Sequence, residues 1–202
     1  MDKRDKGRGP KGTGKPDPSK DRSAHETSRG VRVPTLADLS RGQPTEDELL
    51  VFITLVDAEP SDRSAALMSA SLVEHALHLA VNSRLADCGE AIRNTWFNDA
   101  TAPFGSFAAK IKLGRALGIY KERMDARLLG VKDIRNVFAH RASPIDFTHP
   151  TLDAACRKLI APRQFDEGGA RSAYCGTCMA LAKLLVADAF EYGGREMTVS
   201  FP

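Results

Sequence analysis

The chain has 202 residues, 42% apolar and 27% charged, enough for one ordinary globular domain and an extension. Its formal net charge is +3, but residues 1–34 hold ten Lys/Arg against five Asp/Glu, so the other 168, with 19 against 21, are net −2. That distribution argues against a folded part that binds nucleic acid through bulk charge and places the basic character in the N-terminal segment. The opening MDKRDKGRGPKG lacks the apolar core of a signal peptide. No uninterrupted apolar run approaches the roughly 20 residues that cross a bilayer. Four unevenly spaced cysteines do not make a disulfide framework. The expectation is a cytoplasmic protein with no membrane association.

Residues 1–34 are rich in Gly, Pro, Ser and charge and nearly empty of large apolar side chains. Such a segment buries too little surface to offset its ordering entropy, so a disordered basic tail is expected. Residues 35–44 read as a linker. The helical body spans 45–195 and begins at the capping-box pattern Thr45-Glu46-Asp47-Glu48. A first helix carries Leu49, Leu50, Phe52, Ile53 and Val56 and stops before Pro60.

Ser61 is placed to cap a second helix over about 62–86. Leu67, Ala70, Val73, Leu77 and Val81 form one apolar stripe on it, and Met68, Leu72, Ala76 and Leu79 form another. A helix apolar on two sides is sandwiched between neighbours, so this one should be central. A short helix over 88–97 ends near Trp96 and Phe97. Pro103-Phe104-Gly105 then turns into Ser106, the N-cap of a helix over 106–117 that packs through Phe107, Ile111, Gly114 and Leu117. Gly114 in mid-helix costs about 1 kcal/mol against alanine, which is tolerable where another backbone comes close. Further helices are expected over 120–140, over 151–160, and from Gly168-Gly169 to about 192. The only extended candidate is MTVSF at 197–201, so the fold class is an all-α single bundle.

On the helix ending at His140, Val131, Ile134, Val137 and Phe138 occupy an arc of about 120° that should face the core. Asp133, Asn136 and His140 lie opposite, and Arg135 projects about 140° from His140. The two can share a substrate only if the helix ends near Ala139 or if a second subunit completes the site. Arg135 has a structural alternative in an ion pair with Asp62, and His140 has one in capping terminal carbonyls.

Taken together, SDRSAALMSASL, APFGSFAAKIKLGRALGIY and IRNVFAH, in this order and spacing, resemble the mannitol-operon repressor family over roughly residues 45–160. The resemblance implies an all-helical transcription regulator without a recognisable helix-turn-helix, dimeric and working through a protein partner. The chain departs from that family in its basic N-terminal tail and its long C-terminal helix. Arg135-Asn-Val-Phe-Ala-His140 also resembles the Arg-x(4–6)-His motif of ribonucleases in the HEPN superfamily. Under that alternative the chain is a metal-independent, toxin-like endoribonuclease acting on RNA, with its site formed across a homodimer. His140 would move the proton of the ribose 2′-hydroxyl. Arg135 would stabilise phosphate charge, Asn136 would orient substrate or imidazole, and Glu74 is a weaker candidate acid.

The remaining groups have bland readings beside sharper ones. His75 and His78 are spaced to bind a metal but lack further ligands, so partly exposed polar positions are expected. Cys175-Gly-Thr-Cys178 has neither a second CxxC for zinc nor an α/β setting for redox chemistry, and Cys156, Cys88 and His149 are the only spare ligands. Packing beside Leu181 and Leu185 is the simpler role. Lys110, Lys112 and Arg115 read as a solvated face that could touch phosphate. No cofactor or metal is expected, and no phosphate-cradling glycine loop, serine elbow or dinucleotide fingerprint occurs.

Overall fold

The computed structural model describes residues 46–98, 101–159 and 162–192. Thr45, the expected tail 1–34, the linker 35–44 and the 197–201 segment lie outside the described residues. Seven helices and no strand occur among those described: α1 Glu46–Ala58, α2 Asp62–Asn82, α3 Glu90–Phe97, α4 Phe107–Ala116, α5 Glu122–His140, α6 Pro150–Arg157 and α7 Pro162–Glu191. The all-α expectation holds.

The helix starts follow local capping chemistry. Ser61 Oγ accepts from the Ser64 amide at 3.3 Å, and Ser106 Oγ accepts from the Ala109 amide at 3.1 Å, each satisfying one orphan donor. His149, weighed above as a spare metal ligand, instead caps α6. Its Nδ1 accepts from the Thr151 amide at 3.3 Å, with Pro150 at the first helical position. α4 stops at Gly118, whose φ of 69° is left-handed, so that the Ile119 amide donates back to Gly114 O at 3.1 Å.

α2 is the central helix, as its two stripes require. It packs along α7 and also meets α5, α4 and α1, burying Ala65, Ala66, Ala70, Leu72, Val73, Ala76, Leu77, Ala80 and Val81. It ends at Asn82, with Ser83 as C-cap, four residues short of the expected end. α7 is two helical pieces joined at a kink: Gly169 (φ 71°, ψ −176°) breaks the helical path, a conformation open to glycine, and the long piece runs from the Gly168-Gly169 pair to Glu191 as expected.

By length and composition, α2 and residues Gly168–Glu191 could each cross a membrane. This corrects the expectation that no segment reaches that length: small and apolar residues fill both helices because each is packed on several sides. Among the described residues, 56% of the α2 window and 44% of the α7 window is buried within the protein.

Gly114 has a different reason from the expected backbone approach. A Cβ there would meet the Tyr120 hydroxyl at 2.8 Å. The fully buried Tyr120 lies against the helix and donates to Ile111 O at 2.6 Å, so it is an aromatic side chain that excludes the methyl group. Tyr174, also fully buried, places its hydroxyl 3.3 Å from both Ala66 O and Val131 O and ties α7 to α2 and α5.

Candidate functional site

α5 carries the motif residues. It remains helical through His140, and Arg141 leaves it with extended backbone while its amide still bonds Val137 O. The chain beyond is pinned to the start of α2, where Arg63 Nη2 donates to Arg141 O at 2.6 Å and to Ser143 O at 3.4 Å. Val131, Ile134 and Phe138 are buried as expected, but Val137 is 37% exposed. This corrects its placement in the core: Val137 lies at the edge of the apolar arc, about 60° beyond Ile134, and is only partly covered.

Because the helix does not break before His140, the backbone keeps Arg135 and His140 about 140° apart in one chain. Asn136 and His140, four residues apart, share a face. The half-buried Arg135 turns its guanidinium toward that face, and Nη1 donates to Asn136 Oδ1 at 3.2 Å. The Arg135–Asp62 pair does not form. Asp62 instead accepts from Arg171 Nη1 at 2.7 Å and from the Phe147 amide at 2.9 Å, and Arg171 also reaches Glu59 O. His140 is exposed, and its imidazole makes no hydrogen bond to another described residue, so it does not cap carbonyls. A groove of about 630 Å³ runs between the start of α2 and the loop after α5, lined by Asp62, Arg63, Pro144 and Asp146 among others. None of the three motif residues lines it.

Glu74 does not join this group. It lies eleven residues along α2 from Arg63, about 16 Å of helix axis, and pairs with Lys110 Nζ at 2.7 Å. Lys110 also donates to Gly105 O at 3.3 Å. The expectation of Lys110 on a solvated face is therefore corrected, since its side chain is mostly covered and spent on α2 and the turn before α4. Lys112 and Arg115 are exposed.

His75 and His78 stand beside this pair, partly exposed as expected. The His78 ring meets the edge of Phe97 with centroids 4.8 Å apart, and its Nε2 lies 2.8 Å from Asn82 Nδ2. Burial, then the charges of Lys110, His75 and Arg93, lower its pKa to about 4, while burial and then Lys110 lower that of His75. Both rings are neutral near pH 7. Buried atoms without a partner cluster here, namely His75 Nε2, His78 Nδ1, Asn82 Oδ1 and Arg93 Nε. Among the described residues no group of three or more His, Cys, Asp or Glu is placed to hold a metal. The sequence reading missed Asn82 and Arg93. Asn82, four residues after His78, was detectable by helical spacing, whereas nothing local announces Arg93.

The cysteines are free thiols. Cys156 and Cys178 are fully buried. Burial, then Asp153 and Cys175, push the Cys156 thiol up to about 12, and burial raises Cys178 well above its ordinary value. Protonated thiols at these positions are packing groups, since reactivity needs the thiolate. Comparison of the chain with protein-family models, with curated proteins and with solved structures finds no match.

Proposed function

We propose that the protein is a non-enzymatic regulator, of the kind the mannitol-operon repressor resemblance implies, which acts through a protein partner bound at the outward face of α5. One observation carries this reading: α5 stays helical through His140, so the backbone sets Arg135 and His140 apart, while Val137 is exposed about 60° from His140, between it and the buried Ile134. A helix face that alternates a β-branched apolar group with an amide and an imidazole suits a protein contact better than a reaction cleft. The test is affinity capture on the full chain. A defined partner should be retained without residues 1–34 and lost with Val137→Asp. Retention by Val137→Asp would sink the assignment of this face.

A second reading, the HEPN-type endoribonuclease, is favoured by a different observation. The Arg135 guanidinium bonds Asn136 on the face that also bears the exposed His140. There, His140 would exchange the 2′-hydroxyl proton and Arg135 would balance phosphate charge, with the second half of the site supplied by another subunit. Incubation with RNA in excess EDTA separates the readings. Cleavage abolished by His140→Ala makes the protein a nuclease, and intact RNA leaves the regulator.

A further inference from the structure

The folded residues segregate charge. Residues 46–59, which include all of α1, hold five carboxylates and no Lys or Arg. Residues 110–127, from α4 into α5, hold six Lys/Arg against two Asp/Glu. Of these cations Lys110 is consumed by Glu74. Lys112, Arg115, Lys121 and Arg123 are all exposed, and none of the four forms an ion pair among the described residues.

This concentration of positive charge carries a cost within one chain. Lys121 and Arg123 sit at the N-terminus of α5, the end at which the helix dipole disfavours cations, a cost that Glu122 and Asp125 in the same turn offset in part. Arg123 and Arg127 are like charges four residues apart, and burial followed by Arg123 lowers the pKa of Arg127. An external group of opposite sign would relieve that repulsion.

α1 has the opposite character together with an uncovered apolar stripe. Val51 is 60% exposed and Leu55 53% exposed. They are four residues apart and share a face with the exposed Glu48 and Ala58. Phe52 and Val56, on the other side, pack inward. Two α1 faces set against each other would juxtapose carboxylates, so a two-fold contact through α1 is disfavoured. The corner at the start of α5 supplies the complement, because the exposed Arg123, Ala126 and Leu129 follow one another round the helix in steps of about 60°. Cations there would meet the acidic α1 of a neighbour while its Val51 and Leu55 meet Ala126 and Leu129.

We propose that the protein self-associates head to tail, the α1 face of one copy docking on the Lys121/Arg123 corner of the next. The contact joins two different patches, so each bound copy leaves one patch of each kind open and the assembly grows beyond two chains unless it closes into a ring. It involves neither Val137 nor His140 and does not depend on the partner reading above.

The test is the molar mass of the full chain by light scattering, from about 1 to about 100 μM. At low salt the mass should climb past that of a dimer with concentration, and raising ionic strength to about 0.5 M should weaken association roughly tenfold. Val51→Asp/Leu55→Asp and Lys121→Glu/Arg123→Glu should each be monomeric with unchanged far-UV circular dichroism, since all four positions are exposed. Should the first variant lose helicity, Leu55→Ser takes its place. Mixed in equal amounts, the two variants should form a complex that stops at two chains, because each retains one intact patch. A mass independent of concentration in the wild type overturns the proposal, as does a dimer that persists in both variants. A monomeric chain that binds an oligonucleotide duplex, and loses it with Lys121→Glu/Arg123→Glu, would overturn it in favour of nucleic acid as the corner's occupant.

Discussion

Two histidine-bearing regions of this molecule use the same chemistry in opposite surroundings. Where α2, α3 and α4 meet, His75 and His78 lie among Glu74, Lys110, Asn82 and Arg93, mostly covered, with several polar atoms lacking partners. At the end of α5, His140 stands in solvent beside Asn136, with Arg135 bonded to that amide. Enclosure makes the first group sensitive to its own charge state, because every cation nearby opposes protonation in a medium that screens poorly. Exposure leaves the second group free to meet an external molecule and nearly irrelevant to folding. The difference teaches that a titratable cluster is read by its solvent access before its residue types.

The contrast is broken most severely where covered charge is removed. Arg84, in the turn after α2, and Asp188 of α7 form a two-point pair at 2.7 and 2.6 Å, with side chains only 6% and 1% exposed. The Arg84 guanidinium also stacks 3.8 Å from the Tyr192 ring centroid. Asp188→Ala strands a cation in the interior, and a stability loss of about 3–5 kcal/mol in urea unfolding is expected. A loss below about 1 kcal/mol would mean that water already reaches the pair.

Acidification should act next. The His78 pKa is lowered to about 4 in the fold, with burial the largest cause, against about 6.5 in the unfolded chain. Between those values the unfolded state binds more protons, so stability is fully present above pH 6.5 and declines as pH falls towards 4. Allowing for the solvent that still reaches the ring, His78 contributes about 2 kcal/mol to that decline. His78→Leu, which cannot protonate, should flatten the pH dependence of unfolding in that window; an unchanged slope would place the ring in water. His75, lowered in the same direction, should leave a residual slope.

The smallest effect is expected at the exposed end. Arg135→Ala and His140→Ala should each leave the melting temperature within about 2 °C of the wild type. A larger drop would show that the α5 terminus is a structural element, and would erase the distinction between the two regions.

Much of the fold was legible because it rests on short-range rules. Ser61 and Ser106 announce helix starts through the orphan amides they satisfy. The two stripes of α2 announce a central helix, because apolar residues on both sides need neighbours on both sides. The site was legible only as a list. Val137 matched the apolar arc, yet whether a helix covers that edge is not a property of α5. Lys110 looked like a surface cation because its partner Glu74 is 36 positions away.

What the amino-acid order determined unaided is the helical content, the caps and breaks, the central position of α2 and the presence of Arg135, Asn136 and His140 on one helix, since each follows from spacing within a few residues. Only the tertiary structure decided that Asp62 belongs to Arg171, that Arg84 is matched by Asp188 104 positions later, and that His78 is enclosed while His140 is free. Partner choice and solvent access are set by which helices come to lie side by side. That arrangement is a sum over the whole packed chain and leaves no local trace in any one segment.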